Sequence, residues 1–228
     1  MSIHDGHRKR LKYRFKEEGL DNFNEINVLE LLLFYSIPRS DTNALAHRLL
    51  GYFGSLANVL DATVDELSKI EGMGENSAIF LSLISAVSRY YQVQRLEGGG
   101  PVKTVEDFVS MFMPKFSGRR NEMVYLLCLD AKCKKICCRL VGEGSINSAG
   151  VSVRKIVEIA LAVNASFVVL AHNHPSGLAL PSGADVQTTL RVGKALRTVD
   201  VTLVDHLVIS DDEAVSLVES GLYHPGNL

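Results

Sequence analysis

Two histidines, a serine and an aspartate are gathered in the stretch Leu170 to Gln187, LAHNHPSGLALPSGADVQ. His172 and His174 are two residues apart, so on an extended backbone both rings project to the same side and can aim at one point. Asp185 follows across an irregular loop. Two imidazoles and one carboxylate suit a tetrahedral zinc ion whose fourth position is left to water. The chemistry of such a centre is hydrolysis, because zinc lowers the pKa of bound water from about 16 to about 7.

The flanking segments must hold these groups in place. Ala165 to Ala171 (ASFVVLA) is apolar and β-branched, which predicts a buried strand delivering the histidines at its end. Ala184 to Val199 predicts a helix with Val186, Val192, Leu196 and Val199 on one face and Asp185 in its first turn. Ser182-x-x-Asp185 is equally a helix-start signature, with Ser182 capping free N–H groups and Asp185 meeting the positive dipole end. Capping alone gives no reason for two histidines.

His172-x-His174, seven residues beginning with Pro175, and Ser182-x-x-Asp185 together resemble the JAMM motif of the MPN metallopeptidase superfamily. The surrounding HNHPSG and DHLVIS resemble the RadC family in particular, a family historically labelled as DNA repair proteins. The resemblance covers nearly the whole chain. It implies a zinc-dependent metallopeptidase or isopeptidase with Zn2+ bound by His172, His174 and Asp185. It also implies a catalytic glutamate, matched by Glu122 through its place ahead of an apolar strand, with Glu143 as the competing carboxylate. Ser182 would donate a hydrogen bond to the oxyanion formed when hydroxide attacks a carbonyl, and can do so while still capping its helix. Asp205 and His206 form a further polar pair in an apolar strand. They fit either orientation of a ligand histidine or a satisfied core position.

With 228 residues and 46% hydrophobic content, the chain can form one large or two modest domains with real cores. No apolar run reaches membrane-spanning length, and the N-terminus lacks the apolar core of a signal peptide, so a cytoplasmic protein with no membrane association is expected. Cys128, Cys133, Cys137 and Cys138 contain no CxxC pair and are expected to be reduced thiols, some buried in strands.

Three consecutive glycines before Pro101 mark the clearest break. The expected organisation is a helical domain over 1–94, a linker over 95–103, and an α/β domain over 104–228. The fold class is α/β, an MPN/JAMM-like mixed sheet with helices, plus a small N-terminal all-α domain. In the first part, several short helices are expected: one stopped before Pro38, one capped by Asp41 or Thr42, and one opened by the capping box Thr63-x-x-Glu66. The turn Ile70 to Gly74 and the apolar helix after it resemble a helix-hairpin-helix motif. In the second part, a helix opened by Thr104-x-x-Asp107 is expected to end before Pro114. Then come strands at Glu122 to Leu129 and Lys135 to Val141, joined by a turn at Asp130 to Lys134. A glycine- and serine-rich loop at 142–150, a helix at Val153 to Asn164, a strand at Val201 to Ser210 and a loosely held tail from Gly221 complete it.

Arg8, Lys9, Arg10, Lys12, Arg14 and Lys16 make a local basic cluster in a chain of formal net charge −2. Either they are a solvated helix face or they contact phosphates. Glu71 and Glu75 flank the hairpin glycines and oppose the counterion release that drives DNA affinity. The partner that the resemblance implies is a protein or peptide substrate. The alternative is a DNA-associated accessory protein that binds nucleic acid through its N-terminal domain and keeps a structural or vestigial zinc site.

Overall fold

The computed structural model of the chain describes residues 3–95, 100–144, 152–175, 177–210 and 213–226. Three expected features fall partly outside them: residues 96–99 of the linker, most of the glycine- and serine-rich loop, and the last two residues of the tail. The chain divides into two compact units, residues 1–90 and 91–228.

Helices alone build the first unit: α1 (Ile3–Glu18), α2 (Glu25–Ser36), α3 (Asn43–Phe53), α4 (Leu56–Asp61), α5 (Val64–Ser68) and α6 (Glu75–Arg95). Leu29 and Leu33 of α2 and Leu45 and Leu49 of α3, each pair one helical turn apart, meet Leu67, Ala78 and Leu81 in one buried core. Thr63 and Glu66 form the expected reciprocal capping box on α5. Ahead of α3 the Asp41 carboxylate accepts the Asn43 N–H, while Thr42 makes no side-chain capping bond. Not all these helices are short. α6 runs for 21 residues, because no glycine or proline interrupts it.

Three of the six basic residues in the α1 cluster pack against neighbouring rings. Arg8 donates to the carbonyls of Ile37 and Pro38 and lies over the Phe34 ring. Arg14 covers the Phe23 ring and Lys12 the Tyr35 ring. In the hairpin turn, Gly72 has φ +89°, and Arg48 of α3 donates to the Glu71 carbonyl at 3.1 Å. A side chain at Gly72 would meet that guanidinium at 3.0 Å.

The second unit holds α7 (Val105–Phe116), β1 (Met123–Leu129), β2 (Lys135–Glu143), α8 (Val153–Ala162), β3 (Phe167–Asn173), α9 (Gly183–Arg197), β4 (Thr202–Ile209) and β5 (Ala214–Ser216). The sheet order is β2-β1-β3-β4-β5. Only β3 and β4 are parallel, so the sheet is mixed. Alternation along the strands makes two cores. Val124, Leu126, Val168, Leu170 and Val208 face α8 and α9, and Met123, Tyr125, Leu127, Val169 and Ala171 face α7. With both faces covered, every residue of β1 is buried. The Asp130 turn closes as expected, its carboxylate accepting the N–H groups of Lys132 and Lys134. All four cysteines are free thiols, and burial pushes the pKa of Cys128 and of Cys138 up to about 12.

Three expectations are corrected in this unit. α7 does not stop before Pro114 but continues to Phe116. A proline inside a helix costs about 3 kcal/mol. Phe108, Phe112 and Phe116 form one buried stripe, and each buried phenylalanine contributes about 1.5–3 kcal/mol. Ending the helix early would withdraw Phe116 from its edge contact with Tyr125 at 5.4 Å. Second, the strand carrying the histidines runs further than Ala171 and includes His172 and Asn173, because β4 pairs with it that far. Third, the tail through Gly226 is anchored. Tyr223 is buried and donates its hydroxyl to the Leu203 carbonyl, and Arg197 donates to the Pro225 carbonyl. No described helix is long and apolar enough to cross a membrane.

Truncating Phe112, fully buried in the middle of the α7 stripe, is expected to lower the unfolding free energy by about 3–5 kcal/mol in urea titrations. A loss below about 1 kcal/mol would mean that the stripe does not anchor α7.

Candidate metal centre

His172 lies in β3 with the parity of Val168 and Leu170, so its ring faces α9. His174 comes just after the strand, its amide tied to the Ile209 carbonyl at the end of β4. Asp185 stands in the first turn of α9, capped by Ser182. The three expected ligands are brought together, with one donor atom from each all lying within 4.8 Å of one another. His172 and Asp185 are almost fully buried.

Two of the separations between donor atoms are close to those around a tetrahedral ion, and the third is longer. Zinc bonds of 2.0–2.1 Å place neighbouring ligands about 3.3 Å apart. His172 Nε2 is 3.1 Å from His174 Nε2 and 3.4 Å from Asp185 Oδ1. Asp185 Oδ2 lies 4.0 Å from His174 Nε2.

Protons can be assigned from what each partner is able to donate. The Asp185 carbonyl only accepts, so the Thr189 hydroxyl at 2.7 Å donates to it. Thr189 Oγ1 then accepts from His206 Nδ1 at 2.6 Å. The neutral His206 ring has its lone pair on Nε2, which accepts from His172 Nδ1 at 2.8 Å. His172 therefore presents a lone pair at Nε2. In its neutral form His174 reaches the same state, because Nδ1 donates to the Leu178 carbonyl at 3.2 Å. Two imidazole lone pairs and a carboxylate then face one another, an arrangement that a metal cation satisfies. The donor set fits zinc, and no harder ion favours two imidazoles.

Burial lowers the pKa of His172 to about 4, against the opposing pull of Asp185, with His174 pushing it further down. Burial likewise holds His206 well below its ordinary value, aided by the two neighbouring histidines. Both rings are therefore neutral and ready to act as ligand and support.

Capping uses one oxygen of Asp185 and leaves the other free of the cap. Oδ2 accepts the Ser182 N–H at 2.8 Å and the Ser182 hydroxyl at 2.6 Å. Oδ1 is left to approach His172. The capping reading of Ser182-x-x-Asp185 is realised, and it is compatible with a ligand role for Asp185.

Glu122 stands one residue before β1, half-buried. The parity of Val124 puts it on the α9 face of the sheet, the face of His172. Glu143 pairs with Met123 and so projects to the α7 face. The expected Asp205–His206 pair is split, since consecutive strand residues point to opposite faces. His206 supports His172. Asp205 instead accepts from the Ser216 hydroxyl and from the amides of His206 and Val218, holding β5 and the turn after it. Thr189 escaped sequence reasoning, although its place one turn beyond Asp185 on the same helix was the available signal.

Two outcomes are expected. Thr189→Val is expected to weaken zinc binding about 10- to 100-fold in chelator competition, with Thr189→Ser close to wild type; equal affinity for all three would break the proposed proton assignment. In zinc-free protein, His172 binds fewer protons when folded than when unfolded between pH 6.5 and about 4. Its contribution is therefore complete above 6.5 and is lost as pH falls, so the urea midpoint should decline through that window. The decline should be shallower in His172→Gln.

With this geometry in hand, comparison with known proteins is direct. The model of the family described as RadC-like JAB domain matches residues 102–222. A UPF0758 protein of Fusobacterium nucleatum is 32% identical over 95% of this chain and 97% of its own length. A UPF0758 protein of Idiomarina loihiensis is 33% identical over 94% and 96%, and one of Ruegeria pomeroyi 33% identical over 94% and 96%. Domain and full-length similarity lead to one conclusion: the chain belongs to the RadC family.

Proposed function

We propose that the protein is a zinc-dependent hydrolase that cleaves a peptide or isopeptide bond in a protein or peptide substrate. The observation that carries this reading is the convergence of the lone pairs of His172 and His174 on the Asp185 carboxylate. His172, His174 and Asp185 would hold the zinc, which when bound supplies a Lewis acid and an acidified water. Glu122, on the same sheet face as His172, takes the proton released at attack and returns it to the leaving amine. Ser182 turns its hydroxyl from Asp185 Oδ2 to the developing oxyanion, and its amide hydrogen bond to the same oxygen keeps Asp185 in place meanwhile. Burial of His172 and Asp185 strengthens the electrostatic contacts that these two residues make.

The alternative, DNA binding through the N-terminal helices, has less support. Arg8, Lys12 and Arg14 are spent on packing α1, and Arg48 holds the hairpin turn from within the unit.

Elemental analysis of untagged protein tests the metal, with about one zinc per chain expected in wild type and Glu122→Gln and none in His172→Ala/His174→Ala. Screening of peptide and isopeptide libraries tests the chemistry: Glu122→Gln should lower kcat by about 10²- to 10⁴-fold. Ser182→Ala should lower it by about 10²-fold. Wild type that takes up no zinc when supplied with it would overturn the proposal.

A further inference from the structure

Asn173 sits between the two histidine ligands, yet it cannot join them, because alternation sends its side chain to the opposite side of β3 from His172. It is 3% exposed. Both ends of its carboxamide are engaged. Oδ1 accepts the Met123 N–H at 2.7 Å, and Nδ2 donates to the Asn121 carbonyl at 3.2 Å. These two backbone groups flank Glu122.

Regular pairing between β1 and β3 ends at Val124 and His172. Beyond that pair the Asn173 carboxamide takes the place of a peptide unit, supplying the donor and the acceptor that another strand residue would have offered. On the other side of Glu122, Gly144 donates its N–H to the Glu122 carbonyl at 2.8 Å. Residue 122 therefore lies outside the strand but is gripped from both sides, which keeps it in the parity that faces α9. Aspartate at 173 would lose the donor and set a carboxylate against the Asn121 carbonyl. Leucine would lose both bonds and leave the Met123 N–H buried without that acceptor.

We propose that Asn173 is a positioning residue, whose carboxamide clamps the backbone on either side of Glu122 and so sets that carboxylate relative to a metal held by His172 and His174. This rests on the reading of Glu122 as the proton-transfer group. The tripeptide His172 to His174 then organises the whole centre, its outer residues binding the ion and its middle residue placing the base.

The test uses cobalt(II) alone as probe in the full-length chain, with wild type, Asn173→Leu, Asn173→Asp, Glu122→Gln and the double variant Asn173→Leu/Glu122→Gln. Cobalt affinity is expected within about threefold of wild type throughout, because no ligand is altered. The pH midpoint of the visible cobalt spectrum should fall by about one pH unit in Glu122→Gln, since removing a nearby negative charge eases proton loss at the metal. Asn173→Leu, which brings no charge of its own, should move it in the same direction, and the double variant should move it no further than Glu122→Gln. Amide hydrogen exchange at Met123 should accelerate in Asn173→Leu, with the β3–β4 amides protected as in wild type. A shifted midpoint in Glu122→Gln with an unshifted one in Asn173→Leu overturns the clamp alone. An unshifted midpoint in Glu122→Gln overturns the role of Glu122 and the clamp with it. Collapse of cobalt affinity in the Asn173 variants makes the residue a support for the ligands and likewise overturns the proposal.

Discussion

The hydrogen bond between His172 Nδ1 and His206 Nε2, 2.8 Å long and shut away from water, governs the centre. Its direction is set at its far end, where the Asp185 carbonyl forces the Thr189 hydroxyl to donate. One choice of proton then runs through Thr189, His206 and His172 to the metal-facing nitrogen. The same chain links two ligands that are distant in the sequence, because it starts on the backbone of Asp185 and ends on the ring of His172. Four polar groups in an apolar layer would be costly unpaired; each here has its partner, so the network stiffens the site.

Side-chain alternation in the sheet then sorts every nearby residue. His172 and His206 share the face packed by α9. Asn173 and Asp205 point the other way and hold backbone: Asn173 the approach to β1, and Asp205 the amides around β5. Functional and architectural polar residues thus alternate along the same two strands. Each histidine at the site has an amide or carboxylate neighbour in sequence that steadies the strand carrying it.

The start of α9 does two jobs with one motif. Ser182 and Asp185 satisfy each other's backbone N–H groups, as helix starts require. Because Oδ2 alone serves the cap, Oδ1 remains turned toward His172, and the cap fixes the carboxylate rotamer. A helix start suits a candidate ligand for this reason: its geometry is set without a metal.

The sequence by itself determined most local elements and the candidate ligand set. Short apolar, β-branched runs placed the strands, turn and capping residues placed the helix starts, and the spacing of His172, His174, Ser182 and Asp185 resembled a metal-binding motif, since all of these act over a few residues. Tertiary structure decided what depends on pairing partners far along the chain. Pro114 lies inside α7 because the sheet rewards burial of Phe116. The tail is held because Leu203 offers a carbonyl to Tyr223. His206 rather than Asp205 reaches the site, and Glu122 rather than Glu143 shares its face, because strand register chooses the parity of every side chain. Thr189 and Asn173 acquire meaning only once β4 and β1 lie beside them, since a hydrogen bond between residues 17 or 50 positions apart leaves no local trace in the sequence.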